Sequence, residues 1–277
     1  MPELPEVETV RRHLEATIPG RTIRSVRLSG KRLRAPVSRG LDRRLRGRTF
    51  VAVRRHGKYL LADLDGGLTL ISHLGMSGRW LFMKRPPAKL PPHVHARIAF
   101  TQSGELWFQD PRRFGLLELV NTGAVSRSPG LSQLGPDPIA SPPTGESLRA
   151  IGCRARTPIK TFLLDQKRIA GIGNIYASEI LHRAGVDPRR RAMALSAADW
   201  KAIAGETSAV LEEAIARMGT TFSAYRTLWN EPGSYGSQLL VYDRGGEPCR
   251  RCGTPIRRVV QAQRSTFFCP ACQKRRK

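Results

Sequence analysis

Acidic residues are scarce in this sequence. Its 277 residues include 22 Asp and Glu against 47 Lys and Arg, which gives a formal net charge of +25 at pH 7. This excess of positive charge goes far beyond what solubility requires, and it predicts a polyanionic partner. The basic residues are spread along the chain and are not gathered in one tail, which favours a folded basic surface.

Long hydrophobic runs are also missing. No apolar stretch reaches the length of a membrane span, and there is no lipidation motif or long basic amphipathic helix. These absences argue against membrane binding. The first residues include Glu3, Glu6 and Glu8, where a secretory signal has a positive region followed by an apolar one. We therefore expect a cytoplasmic protein.

Cysteine is sparse, and its few residues are paired. Cys249-x2-Cys252 and Cys269-x2-Cys272 are separated by sixteen residues, and only Cys153 lies outside this pattern. Thiols stay reduced in the cytosol, and the spacing is typical of a four-cysteine zinc site. Four thiolates close the coordination shell, so the predicted Zn²⁺ is structural. Four buried free thiols are the alternative.

Hydrophobic periodicity predicts an α+β chain with more than one domain. The spacing from Val7 to Ile18 predicts a leading helix that ends at Pro19-Gly20, and short alternating segments over residues 22–119 predict an antiparallel β-sandwich. Residues 126–145 are rich in Ser, Pro and Gly, as in a linker. Two segments beyond it have helical periodicity, Ile159–Ala184 and Ser196–Met218. The second begins with Ser196 and Asp199 in capping-box spacing.

The N-terminus offers an amine nucleophile. Removal of Met1 would leave Pro2 with a secondary amine, which titrates near ~8 where lysine titrates near ~10.4, so more of it is unprotonated at neutral pH. Attack on a sugar C1′ gives an iminium whose neighbouring carbon is acidic, which opens a route to strand cleavage by elimination. Glu3 lies beside this amine and can exchange a proton. The alternative is that both residues only cap a helix.

Five motifs in one order resemble a single enzyme family across essentially the whole chain. They are Pro2–Glu8, His73–Gly78, Asp110–Gly115, Gly171–Tyr176 and the cysteine pairs with Arg264. They resemble the bacterial formamidopyrimidine-DNA glycosylases. The resemblance implies an enzyme that repairs double-stranded damaged DNA by base excision, acting as both a glycosylase and an abasic-site lyase on 8-oxoguanine and formamidopyrimidines. We expect a monomer, because a single flipped base needs no two-fold symmetry.

The resemblance also implies a domain plan with one structural zinc. The domains would be a catalytic β-sandwich over 1–125, a linker over 126–145, a helical DNA-binding domain over 146–240 and a zinc-finger hairpin over 241–277. The glycine turn at Gly171–Asn174 resembles the centre of a helix-two-turn-helix, in which backbone amides and a helix N-terminus approach a phosphate. Without the resemblance, it would read as a plain connection.

By the family's pattern, four residues resemble catalytic groups. Pro2 is the expected nucleophile, Glu3 the acid that helps to open the sugar, and Lys58 the proton donor for β-elimination. Arg264 matches the position that serves δ-elimination. Viewed alone, Lys58 would more often be a solvated lysine at a strand edge.

Other residues match positions that hold the DNA. A lesion must leave the base stack before its glycosidic carbon can be attacked, and the expected wedge that fills the hole is Met76, Arg112 and Phe114. Without the resemblance, Met76 and Phe114 would be assigned to a core. The expected contacts with the DNA backbone and its surroundings are His93, Arg112, Lys160, Asn174, Arg154 and Arg156.

Two departures and two alternatives remain open. Arg154–Thr157 stands where the family often has a lysine-rich run, and Met218 replaces a glycine in a segment, 217–225, that resembles the family's lesion-capping loop. An endonuclease VIII-type enzyme for oxidised pyrimidines shares the Pro-Glu start and the zinc hairpin, but the wedge and the Leu4–Glu8 continuation argue against it. A non-enzymatic zinc protein that binds DNA would leave Pro2, Glu3 and Lys58 unexplained.

Overall fold

The structure is a computed structural model that describes residues 1–222 and 225–274. Contacts divide the chain into two units, which are Met1–Ser132 with Arg217–Gly236 and Gln133–Ala216 with Ser237–Lys277. Ser223 and Ala224, in the expected lesion-capping loop, lie outside the described residues. Over the part of the chain that is described, no helix has both the length and the apolar character needed to cross a membrane.

The first unit contains two antiparallel four-stranded sheets and a leading helix. Its elements are α1 (Leu4–Glu15), β1 (Ile23–Leu28), α2 (Leu41–Leu45), β2 (Phe50–His56), β3 (Tyr59–Leu64), β4 (Leu68–His73), β5 (Arg79–Met83), β6 (Val94–Phe100), β7 (Glu105–Gln109) and β8 (Leu116–Asn121). One sheet has the strand order β1-β6-β7-β5 and the other β2-β3-β4-β8. Short 3₁₀ turns occur at Asp65–Gly67 and Thr122–Arg127.

The two sheets share one apolar core. Phe50 of β2 and Phe100 of β6 meet with ring centroids 6.2 Å apart, and the same cluster includes Val10 of α1. Inward-facing residues of both sheets therefore pack against each other, which confirms the predicted β-sandwich with its leading helix. Helix α1 ends at Glu15, three residues before the predicted end, and Ile18 is buried in the turn that follows.

The second unit is mainly helical and ends in a hairpin. Its elements are α3 (Gly145–Gly152), α4 (Ile159–Leu164), α5 (Asn174–Arg183), α6 (Ala197–Ala216), β9 (Arg257–Gln261) and β10 (Arg264–Phe268). Helix α6 begins with the predicted capping box: the Ser196 N–H donates to Asp199 Oδ2 (2.9 Å), and the Asp199 N–H donates to Ser196 Oγ (3.1 Å). The predicted helical segment 159–184 is two helices, because Gly171 turns the chain at φ +93° between them.

Residues 217–236 pack with the first unit. The Thr220 N–H donates to Glu6 Oε1 (2.7 Å), and Tyr225 and Leu228 join the apolar core of the sandwich. The segment follows α6 directly in sequence, but among its described residues Thr220, Tyr225 and Leu228 contact the first unit.

Candidate functional site

The N-terminal residues are held by a buried carboxylate. Pro2 and Glu3 are buried, and helix α1 begins directly after Glu3. The Glu3 N–H donates to Glu6 Oε2 (2.7 Å), while Glu6 Oε1 accepts the Thr220 N–H. A Cβ on Gly219, which has φ +77°, would lie only 2.6 Å from Glu6 Oε1. Glu6 therefore fixes the start of α1 against the 217–225 segment, and glycine is required at that approach.

Lys58 lies in the tight turn between β2 and β3 and is buried. Arg55 connects this turn to α1, because its Nε donates to Glu8 Oε2 (2.9 Å) and its guanidinium also donates to the Gly57 carbonyl (2.9 Å). Burial alone would raise the pKa of Glu8, but hydrogen bonds and charge from Arg11 and Arg55 outweigh it and hold that pKa below its ordinary value. Sequence reasoning missed this pair.

His73 ends β4 beside the Lys58 turn. Its Nδ1 accepts the Gly75 N–H (2.9 Å), and its ring lies 4.7 Å from that of Tyr59. Burial, together with the charges of Lys58 and Arg34, lowers the pKa of His73 to about 4. The imidazole is therefore neutral at pH 7, as its role as a hydrogen-bond acceptor requires.

The three wedge residues lie together on the first unit. Met76 is 37% exposed and Phe114 is 47% exposed, so neither belongs to the core. The Arg112 guanidinium lies 4.8 Å from the centroid of the Phe114 ring. Two large apolar side chains and a cation thus project from two neighbouring loops, which suits insertion between base steps and pairing with an unpaired base.

One buried carboxyl group holds both wedge loops. Asp110 is fully buried and accepts hydrogen bonds from Ser77 Oγ (2.6 Å) and from the Gly115 N–H (2.7 Å). A Cβ on Gly75 (φ +61°) would collide with the Phe114 backbone. The two loops therefore form one preorganised unit, and Asp110 is a positioning residue that the motif contained but sequence reasoning did not assign.

In the second unit, Lys160 and Asn174 hold the strand that begins with Arg264. Lys160 is 1% exposed, and its Nζ donates to the Ser265 carbonyl (2.8 Å) and to Thr266 Oγ1 (2.8 Å). Asn174 Nδ2 donates to the same Ser265 carbonyl (3.0 Å). Arg264 itself is exposed. The expected phosphate contacts of Lys160 and Asn174 stay predictions, and what the structure shows is that both position β10.

Glu179 of α5 is a second buried carboxyl group that sequence reasoning missed. It accepts three backbone N–H groups, those of Leu240 (2.8 Å), Val241 (3.0 Å) and Tyr242 (2.8 Å). Burial raises the pKa of Glu179 above its ordinary value despite these hydrogen bonds. The residue anchors the chain just before the first cysteine pair.

The four paired cysteines converge. Their Sγ atoms all lie within 4.8 Å of one another, with separations of 3.4 Å from Cys252 to both Cys269 and Cys272 and of 4.0 Å from Cys249 to Cys272. A tetrahedral Zn²⁺ with Zn–S bonds of about 2.3 Å needs S···S separations of about 3.8 Å. The cluster therefore fits one structural zinc, as predicted. Strands β9 and β10 form a hairpin between the two pairs.

The remaining predicted contacts are exposed. His93 has φ +66°, and its carbonyl accepts the Asp110 N–H (2.9 Å), so it lies close behind the wedge loops. Arg154 and Arg156 lie between α3 and α4. The structure thus brings the wedge residues together in one unit and groups Lys160 and Asn174 with the Arg264 strand in the other.

Comparison with known proteins covers nearly the whole chain. Sequence models of the formamidopyrimidine-DNA glycosylase N-terminal domain, its H2TH domain and the zinc finger found in FPG and IleRS match residues 1–117, 134–226 and 246–275. A formamidopyrimidine-DNA glycosylase of Paracoccus denitrificans is 44% identical over 99% of this chain and 100% of its own. The Lactococcus lactis Fpg in complex with DNA containing an abasic site has a TM-score of 0.90 at 33% identity, covering 99% and 100% of the chains. MutM of Thermus thermophilus has a TM-score of 0.86 at 39% identity, covering 98% of each.

Proposed function

The chain belongs to the family of formamidopyrimidine-DNA glycosylases, and on that premise we propose that it excises oxidised purines from duplex DNA and then cleaves the strand. The expected lesions are 8-oxoguanine and formamidopyrimidines, and the protein acts as a monomer in the bacterial cytosol near the nucleoid. The enzyme is a DNA glycosylase of base excision repair with one structural zinc site.

The observation that carries the proposal is the wedge. Met76, Arg112 and Phe114 are exposed side chains on two loops that a single buried carboxyl group holds in place. Architectural proteins also insert apolar wedges to kink DNA, but a wedge with a cation beside it suits an enzyme that extrudes a base, because such an enzyme must both fill the hole and stabilise the partner base. The preorganised loops reduce the ordering cost of insertion.

The chemistry we propose begins with Pro2 after removal of Met1. The proline amine attacks C1′ of the lesion, the glycosidic bond breaks, and the base leaves with a proton. Glu3 protonates the sugar ring oxygen as the ring opens to an iminium. Loss of a C2′ proton then expels the 3′ phosphate by β-elimination, with Lys58 as the proton donor, and Arg264 serves the δ-elimination that expels the 5′ phosphate.

The basic residues of the second unit support binding of the DNA backbone. Arg154, Arg156 and Arg264 are exposed, and a guanidinium can bind a phosphate through two hydrogen bonds. Cys249, Cys252, Cys269 and Cys272 would hold the zinc at the base of the hairpin, and a closed metal site there would keep the loops ordered and thereby position Arg264.

The decisive experiment is borohydride trapping of the iminium on duplexes with 8-oxoguanine opposite cytosine. Protein beginning at Pro2 is compared with the same chain bearing an uncleaved N-terminal extension, on this duplex, on an oxidised pyrimidine and on undamaged DNA. We expect a covalent adduct on 8-oxoguanine that maps to Pro2 and that the extension abolishes.

Two other outcomes contradict the proposal in different ways. A stronger adduct on the pyrimidine would assign the chain an endonuclease VIII-type specificity. Tight binding to every lesion without an adduct, by protein that begins at Pro2, would overturn the amine mechanism.

A further inference from the structure

A buried histidine lies against the cysteine cluster. His182, in the last turn of α5, is 1% exposed, and its Nε2 lies 3.5 Å from Cys249 Sγ. Among the described residues, its Nδ1 is buried without a hydrogen-bond partner. None of the roles assigned to the cysteines or to the DNA-binding residues above uses this imidazole, although it occupies one of the most protected positions in the unit.

The chemistry of the cluster determines which ring nitrogen carries the proton. A zinc-bound cysteine is a thiolate and can only accept a hydrogen bond, so a contact with His182 Nε2 requires Nε2 to carry the hydrogen. Nδ1 is then a bare acceptor, and a buried acceptor without a partner is tolerated better than a buried N–H without one. Both observations on the ring therefore select the same tautomer.

We propose that His182 is a positioning residue for the zinc site, which donates Nε2–H to the thiolate of Cys249. A Zn²⁺ ion with four thiolates carries a net charge of −2, and groups that donate to sulfur reduce the charge on the ligand and fix its orientation. Backbone groups supply part of this, since the Arg251 N–H contacts Cys249 Sγ (3.4 Å) and the Cys272 N–H contacts Cys269 Sγ (3.4 Å). His182 adds a side-chain donor from a separate helix.

This contact gives α5 a third attachment to the region of the cysteines. At its first residue, Asn174 donates to the Ser265 carbonyl beside Arg264, and Glu179 accepts the N–H groups of Leu240 to Tyr242. His182 follows Asn174 by eight residues, which is about 12 Å along a helix. One rigid helix therefore sets the zinc cluster and the Arg264 strand at a fixed separation, and His182 makes the attachment at the zinc end.

The test compares donors and non-donors at position 182 in the full-length protein. His182→Phe and His182→Met remove the N–H, while His182→Gln keeps an N–H near the position of Nε2. Leu181→Ala is the matched control, because Leu181 is fully buried on the same helix but its side chain has no N–H to donate to sulfur. The readouts are the zinc affinity, measured by competition with a chromophoric chelator, and the sulfur-to-metal charge-transfer bands after replacement of zinc by Co²⁺.

We expect the Phe and Met variants to lose about tenfold in zinc affinity and to shift the charge-transfer bands to lower energy, as sulfur becomes more electron-rich. His182→Gln should retain most of both properties, and Leu181→Ala should leave the bands unchanged. Bands that stay in place in whichever of the Phe and Met variants folds would overturn the proposal. So would a Gln variant as impaired as the Phe variant, since His182 would then act only through packing.

Discussion

The wedge loops of the first unit and the hairpin of the second unit are held in place by different interactions. The wedge loops depend on polar groups of the chain itself, with Asp110 fully buried between Ser77 and Gly115. The hairpin lies between two cysteine pairs that fit a dissociable metal ion. The comparison predicts that the proposed base extrusion and the proposed backbone binding depend on different parts of the molecule, so that either can be removed without the other.

Removal of zinc should have the largest effect, and it should act on the hairpin without acting on the wedge loops. Structural zinc sites contribute about 10 kcal/mol or more, so chelation should unfold the hairpin. Loss of the two charge-assisted hydrogen bonds that the Arg264 guanidinium is proposed to make with a phosphate, at about 1.5 kcal/mol or more each, corresponds to at least about a hundredfold loss of DNA affinity. Hydrogen exchange should show lost protection around Arg264 and retained protection around Asp110.

Cysteine substitutions provide the control for this experiment. Cys249→Ser should reproduce the effect of chelation, whereas Cys153→Ser should not change the zinc content, because Cys153 is exposed and outside the cluster. Loss of protection in the wedge loops on chelation would show that the two foundations are coupled.

Asp110→Ala should produce the opposite pattern. It leaves the Ser77 hydroxyl and the Gly115 N–H buried without an acceptor, and each such group costs about 1–3 kcal/mol, so we expect a loss of about 4 kcal/mol in the free energy of unfolding. Base extrusion, which is monitored by the fluorescence of 2-aminopurine placed beside the lesion, should decrease. The zinc content should stay at one per chain.

Asp137→Ala is the matched control in the other unit. Asp137 is also buried, and it accepts the N–H groups of Ile139 (3.0 Å) and Ala140 (3.2 Å). It should destabilise the second unit without changing the fluorescence signal of the wedge. Equal effects of both variants on that signal would mean that Asp110 acts only through global stability.

The sequence alone predicted the ligands of the zinc site, but it did not predict the buried polar groups that hold the loops. Cysteine spacing predicts a metal site directly, because each Cys-x2-Cys pair is a local motif that can supply two ligands to one ion. The hydrogen bonds of Asp110 with Ser77, of Glu179 with Leu240 to Tyr242 and of Glu8 with Arg55 join residues far apart in the chain, and no local pattern encodes those. The only sequence signal that could have identified them is the scarcity of acidic residues. In a chain with so few of them, a carboxylate inside an apolar segment needs an explanation.

The order of the secondary structure was predictable for a related reason. Alternation over residues 22–119 and the capping box at Ser196 are local, so the β-sandwich and the start of α6 follow from them. The placement of residues 217–236 in the first unit depends on Glu6, more than two hundred residues earlier. The predicted domain boundaries stay predictions.

Acid should destabilise the first unit, which carries the wedge loops, through protonation of His73. With its pKa lowered to about 4, His73 binds a proton more readily in the unfolded chain, where the value is near ~6.5, than in the folded protein. Stability should therefore be constant above pH 6.5 and fall as the pH drops towards 4, by up to about 3 kcal/mol. Protonation also removes the acceptor for the Gly75 N–H, next to Met76.

The imidazole titration of His73, followed by NMR alongside the pH dependence of unfolding, checks this prediction. His73→Gln keeps an acceptor but does not titrate in this range, so its unfolding free energy should decline less between pH 6.5 and 4. The same decline in both proteins would assign the acid sensitivity to other groups.

The smallest expected effect concerns Met218, where the chain enters the 217–225 segment. Met218 has φ +58°, a left-handed conformation that costs a residue with a side chain about 1 kcal/mol, and the next residue, Gly219, has φ +77°. Met218→Gly should therefore raise the free energy of unfolding by up to about 1 kcal/mol, less the entropy that glycine gains in the unfolded chain. Gly219→Ala should do the reverse, because its Cβ meets Glu6. Chemical denaturation of both variants checks the sign. If Met218→Gly destabilises, the methionine side chain contributes packing that exceeds its backbone strain, and the first unit is then held at this point by apolar contact as well as by its buried carboxylates.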